Sequence, residues 1–146
     1  MSRERDDLGR PLPAGVTGVA GPAPRDDRTV EETLAEAQRW LDARRPFSAH
    51  EVFEDAWKSG APADRDLWQG LAQFAVGITH AQRGNHAGAL ALLDRSADRL
   101  ARHADAPPYG IDVAGIRSWI ATFADQVRES AAGTPDYEPP RLRRAR

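Results

Sequence analysis

The sequence predicts an all-α fold, a compact bundle of about five helices. Two observations predict it. Apolar residues recur at the 3.6-residue spacing of amphipathic helices, in stretches separated by glycine- and proline-rich segments. The strict alternation of apolar and polar residues that a half-buried strand needs is absent from the 146 residues. A chain of this length is expected to form one domain.

Composition divides the chain into a helical domain and two tails. Residues 1–28 are rich in Pro, Gly, Arg and Asp and poor in large apolar side chains, which predicts a disordered N-terminal arm. The helical domain is expected over residues 29–132. Residues 133–146 contain three prolines and end in a basic run, so we expect a flexible, basic C-terminal tail.

Charge and composition restrict the location and the partners. A net charge of −2 gives no overall attraction to nucleic acid or to an acidic membrane, so neither is expected to bind. The absence of cysteine excludes disulfides and thiolate chemistry and suits a reducing cytoplasm, where we expect the protein to be located. No apolar run approaches the ~20 residues of a membrane span, and the N-terminus lacks the apolar segment of a secretory signal.

Start signals separate the expected helices. Thr29 and Glu32 have the spacing of a capping box, and so do Ser48 and Glu51. Asn85 is expected to cap the fourth helix. The helices are predicted over approximately these ranges: from Thr29 to the stretch 42–46, then 47–58, 64–83, 86–103, and a last one capped by Asp112 that ends near Gly133.

The second expected helix carries a histidine and acids beside its apolar face. His50 and Glu54 are one turn apart, and with Glu51 they form the pattern His-Glu-x-x-Glu, a spacing at which one helix face can offer two metal ligands. Candidate further ligands on the third helix are His80 and, more weakly, Gln73. The alternative is that His50 and Glu54 hydrogen-bond each other and that Glu51 only caps the helix. We favour this structural interpretation, because isolated pairs of this kind are common.

The third expected helix is apolar nearly all round, which is typical of the centre of a bundle. Gln69, Gln73 and His80 project from one side of it, and Gly70 and Gly77 would let a helix or a ligand approach its backbone. These polar groups need partners, since burying one without a hydrogen bond costs ~1–3 kcal/mol. A pocket for a small polar ligand and a buried network that fixes the helix register both remain possible interpretations. The candidate pocket comprises His50, Glu51, Glu54, Trp57, Gln69, Gln73 and His80.

Three motifs give a family resemblance. They cover residues 47–57, 68–75 and 80–89 in that order. Together they resemble domain-of-unknown-function family 309 of bacteria and archaea, over about residues 36–104. The resemblance implies a compact helical fold with hairpins similar to tetratricopeptide repeats, and it implies no activity. The recurring positions of the family fall here on His50, Glu51, Glu54, Trp57, Gln69, Gly70, Gln73, His80, Gly84 and Asn85.

The leading functional hypothesis is a non-enzymatic binding or scaffold module with a polar pocket, which binds a protein or a small polar ligand. The alternative is a metal-dependent or general acid–base enzyme. In it, His50 is a ligand or base, Glu54 a ligand or proton relay, and His80 the completing group. Convergence of these three side chains beside an open cavity would favour the enzyme. The sequence specifies neither a cofactor nor an oligomeric state.

Overall fold

Five helices account for most of the part of the chain described by this computed structural model, which comprises residues 5, 6, 8–10, 20–130 and 135–144. The described residues contain no β-strand, which confirms the all-α fold class. None of the described helices is long and apolar enough to cross a bilayer. The helices are α1 (Val30–Asp42), α2 (Pro46–Ser59), α3 (Arg65–Gln82), α4 (His86–Ala101) and α5 (Val113–Glu129), with single 3₁₀ turns at Pro62–Asp64 and Pro108–Gly110.

Each helix packs on the next one in the chain, so the bundle is a series of helical hairpins. Helix α3 lies in the middle, between α2 and α4. Its apolar stripe is fully buried, as expected of a central helix. The stripe consists of Leu67, Leu71, Phe74 and Ile78.

Helices α3 and α4 approach each other closely at two glycines of α3. A Cβ atom added at Gly77 would lie 2.9 Å from the side chain of Leu93, and one added at Gly70 would lie 3.2 Å from Leu100. The hydroxyl of Ser96 donates a hydrogen bond of 2.7 Å to the carbonyl of Gly70. The space beside these glycines is therefore taken by α4.

Three of the predicted helix caps are confirmed. Thr29 and Glu32 form the complete capping box at the start of α1. The side chain of Asn85 accepts a hydrogen bond from the Gly88 amide at the start of α4, and Asp112 has the same role at the start of α5. These side chains satisfy amides that have no partner within the helix.

The capping box predicted for Ser48 and Glu51 is wrong. Helix α2 already begins at Pro46, so Arg45 and not Ser48 is the residue that precedes it, and Arg45 makes no side-chain cap. Proline is well suited to the first helical position, because its φ is already helical and its missing N–H would have had no partner there. Ser48 therefore lies inside the first turn, with its side chain buried.

Arg28 attaches the described N-terminal residues to the first two helices. Its side chain is only 4% exposed and donates hydrogen bonds of 2.9 Å to Glu36 on α1 and 2.9 Å to Asp55 on α2. It also bonds the backbone carbonyl of Ala23 at 3.1 Å. The sequence pattern gave no indication of this ion-pair network, because the segment is polar and aperiodic. Half of the predicted arm, including residues 11–19, lies outside the described residues.

The described C-terminal residues, 135–144, lie against the bundle. Tyr137 packs edge-on against Trp119 of α5, and burial raises the pKa of its phenol to about 12. Leu142 is 1% exposed, and its amide donates a 2.8 Å hydrogen bond to the side chain of Gln38 on α1. The prediction of a flexible tail did not anticipate these contacts. The domain boundaries at 29 and 132 stay a prediction.

Replacing Leu142 by alanine tests whether this segment stabilises the fold. We expect L142A to lower the free energy of unfolding by roughly 2–5 kcal/mol, because a buried leucine is removed. Urea denaturation measures the change. The matched control is E138A, because the Glu138 side chain is 93% exposed and makes only a surface ion pair. An equal, small effect of both substitutions would mean that the segment does not pack as described.

Candidate functional site

A cleft of about 260 Å³ lies between α2, α3 and α4 and opens to solvent. We call it the α2–α3–α4 cleft. One part of its lining is polar and the other is apolar, as in many small-molecule sites. The polar residues are His50, Glu54, Gln69 and Gln73, and the apolar ones are Trp57, Ala72, Val76 and Leu92.

Five of the seven residues predicted to form the pocket line this cleft. They are His50, Glu54, Trp57, Gln69 and Gln73. The two others, Glu51 and His80, do not line it.

His50 and Glu54 form the pair that their spacing predicted. The Nε2 atom of His50 lies 3.2 Å from Oε1 of Glu54. The His50 side chain is 16% exposed and Glu54 is 42% exposed, so the pair lies at the edge of the core. The ring of Phe47 packs beside the imidazole at a centroid distance of 5.0 Å.

Burial keeps the imidazole of His50 neutral. It lowers the pKa of His50 below the usual value, and this effect outweighs the opposing effects of Glu54 and of the Phe47 backbone. A neutral ring that donates from Nε2 to Glu54 carries its lone pair on Nδ1. That atom is buried and makes no hydrogen bond of good geometry to a described residue, although the Phe47 backbone is near enough to the ring to act on its pKa. Neither ring nitrogen therefore presents a free lone pair to the cleft.

The two glutamines of α3 differ in their partners. Gln73 accepts a 3.3 Å hydrogen bond from Nε of Arg99 on α4, which supports the predicted role in fixing the helix register. Arg99 in turn lies 2.6 Å from Asp66. Burial would raise the pKa of Asp66, but hydrogen bonds from Arg99 and His103 outweigh it and lower that pKa. The side chain of Gln69 makes no hydrogen bond to another described residue, so its amide group is available at the cleft.

His80 belongs to the turn between α3 and α4. Its Nδ1 atom lies 3.0 Å from the side-chain nitrogen of Asn85, and its carbonyl accepts the Asn85 amide at 2.9 Å. Gly84 takes the left-handed conformation there, with φ of +80°, as is common after a helix end. Burial, with a smaller effect of Arg83, lowers the pKa of His80. The arrangement gives His80 a role in closing the turn.

Glu51 faces the N-terminal segment. A Cβ atom added at Gly21 would lie 3.3 Å from the Glu51 carboxylate. Burial raises the pKa of Glu51, and the charge of Arg5 opposes that shift. His50, Glu54 and His80 are not brought together. Indeed, the described ranges contain no group of three or more His, Asp or Glu side chains close enough to hold a metal ion.

Sequence reasoning did not assign three apolar residues to the cleft. Two of them, Ala72 and Val76, share a stripe with Gln69 and Gln73, at positions i, i+3, i+4 and i+7 of α3. The helical spacing could therefore have identified them. Leu92 comes from α4 and depends on how α4 packs, for which the sequence carried no signal.

Fold and cleft together define an all-α domain of successive helical hairpins with a small cleft of mixed polarity between α2, α3 and α4. Residues 34–92 match the family model described as "Domain of unknown function (DUF309)", which confirms the resemblance of the three motifs. The matched range contains all the residues that line the α2–α3–α4 cleft.

One curated relative is "Uncharacterized protein YpuF" of Bacillus subtilis (strain 168). It is 32% identical over 88 residues, which are 59% of this chain and 51% of that protein. The chain thus spans about half the length of this relative. No solved structure matches the chain.

A pH titration of the His50 ring by NMR tests the electrostatics of the cleft. We expect its midpoint to lie below the ordinary value of 6.5, and E54Q to lower it further, because Glu54 favours the protonated ring. Since the folded-state pKa is depressed, the stability from neutral His50 is present above about pH 6.5 and is lost as the pH falls through the folded value.

The control for this titration is E51Q, which changes an acid that does not line the cleft and should leave the midpoint nearly unchanged. H50Q identifies the resonance among the four histidines. A midpoint above the ordinary value, or an upward shift in E54Q, would contradict the arrangement.

Proposed function

We propose that this chain is a non-enzymatic binding module that holds a small polar ligand, or a polar side chain of a partner protein, in the α2–α3–α4 cleft. The observation that carries the proposal is the cleft itself. It is open to solvent, one half of its lining is apolar, and its polar half includes side-chain groups with no hydrogen-bond partner among the described residues. The absence of cysteine further supports a reducing cytoplasm as the location.

The polar half of the cleft supports binding because part of its hydrogen-bonding capacity is unused. Oε1 of Glu54 receives His50, while the second carboxylate oxygen has no partner among the described residues. Gln69 adds a donor and an acceptor. A ligand that satisfies these groups and covers Val76 and Leu92 would gain both hydrogen bonds and apolar contact.

The state of His50 favours binding over acid–base catalysis. A general base needs a lone pair within hydrogen-bond reach of the substrate. In His50, Nε2 faces Glu54 and Nδ1 is buried. A metal-dependent enzyme would need a third ligand, and the predicted one, His80, pairs with Asn85 instead. Binding of a ligand requires neither a free lone pair on His50 nor a third metal ligand.

Substitutions that fill the cleft with larger side chains test this proposal. The probes are n-butylamine, n-butanol and butyrate, and the measurement is the shift of backbone amide resonances. We expect at least one probe to move resonances of residues 50–57 and 69–76 in the wild type. In A72L and in V76F the larger side chain fills the cleft, so the shifts should fall to a small fraction of their wild-type size.

The control variant is A121L, which enlarges an exposed alanine on α5, away from the cleft. Circular dichroism verifies that each variant is folded. Shifts that persist unchanged in both A72L and V76F, or the absence of shifts with every probe, would overturn the proposal.

A further inference from the structure

We propose that the α2–α3–α4 cleft recognises a primary ammonium group on a short apolar stem. The inference rests on the proposed binding function and specifies its ligand. It follows from the charge of the cleft, from the acceptors left free in it, and from the apolar residues beside them.

Glu54 is the one charged side chain among the residues that line the cleft. No arginine or lysine among the described residues lines it, and the neutral imidazole of His50 adds no positive charge. The carboxylate is 42% exposed, so a ligand can reach it. A ligand with a negative charge would be repelled at short range, whereas a cation would be attracted.

Arginines lie near the cleft but outside its lining, as Arg5 does over the Phe47 ring. Arg99 reaches the cleft only through its hydrogen bond to Gln73. Asp66, 2.6 Å away, offsets part of its charge and is shared with Arg102 at 3.0 Å, and the Arg99 guanidinium does not itself line the cleft. Lys58 follows Trp57 in the chain, but it is exposed and does not line the cleft. The site is thus built for a cation rather than an anion.

The free acceptors match an ammonium group in number and kind. An ammonium has three N–H donors and no acceptor. The unpaired oxygen of Glu54 and the amide oxygen of Gln69 offer two acceptors. Gln73 can offer its second lone pair, since Arg99 uses one. A neutral hydroxyl could satisfy fewer of them, because it has one hydrogen to donate.

The apolar side of the cleft suits a short hydrocarbon stem. Trp57 lies one turn from Glu54 on α2, where an aromatic ring also favours a nearby cation. Ala72, Val76 and Leu92 complete the apolar lining. A volume of about 260 Å³ restricts the ligand to a small molecule or a single side chain. The ammonium could therefore belong to a free amine or to a lysine of a partner protein.

Charge-matched probes test the inference. The dissociation constants of n-butylamine, n-butanol and butyrate are measured by NMR titration at about pH 7, where the amine is protonated. We expect the amine to bind about fivefold tighter than the alcohol and the acid to bind weakest, as for one partly exposed charge pair. In E54Q the preference should disappear, and in the matched control E51Q it should remain.

The outcomes separate this inference from the proposed function. Equal affinities, or a preference for butyrate, overturn the ammonium assignment while leaving the cleft as a binding site. Absence of any binding at the cleft overturns both. A blocked lysine, Nα-acetyl-lysine N-methylamide, distinguishes the two sources. If the blocked lysine binds as tightly as butylamine, the ligand is a lysine side chain of a partner protein. If it binds more weakly, the ligand is a free amine.

Discussion

The close contact between α3 and α4 is the constraint on which the rest of the structure depends. Gly70 and Gly77 remove the side chains that would hold the helices apart, so α4 packs directly on the α3 backbone. The side of α3 that carries Leu67 is then buried in the core. The opposite stripe, which consists of Gln69, Ala72, Gln73 and Val76, lines the cleft. With Leu92 above this stripe and α2 beside it, a cleft results. The polar residues of α3 thus lie at a site because the apolar ones are used for packing.

Burial of His50 determines the electrostatics of that cleft. A charged imidazole at this position would lose much of its hydration, so the neutral ring is favoured even though Glu54 lies beside it. The neutral ring still holds Glu54 through one oxygen and leaves the charge of the carboxylate uncompensated. Had His50 been protonated, the two charges would have cancelled. The same pair therefore fixes the position of Glu54 and preserves the negative charge of the cleft.

The helices and most of the residues that line the α2–α3–α4 cleft were predictable from the sequence, because helical periodicity places side chains by local geometry alone. The same geometry placed His80 with the pocket residues, whereas its ring lies against Asn85 at the start of α4, because projecting residues around α3 does not show where α4 begins. The packing of Tyr137 and Leu142 could not have been predicted. It depends on tertiary contacts with α1 and α5, and the prolines around these residues leave no periodic pattern to detect.

The most direct test of the account is an experimental structure of the protein crystallised with n-butylamine hydrochloride. The account predicts an ammonium nitrogen about 3 Å from the Glu54 carboxylate, with His50 on the opposite side of that carboxylate and the alkyl stem against Val76. A structure in which the His50 ring turns into solvent, or in which Glu54 and Gln69 point away from a common space, would contradict it.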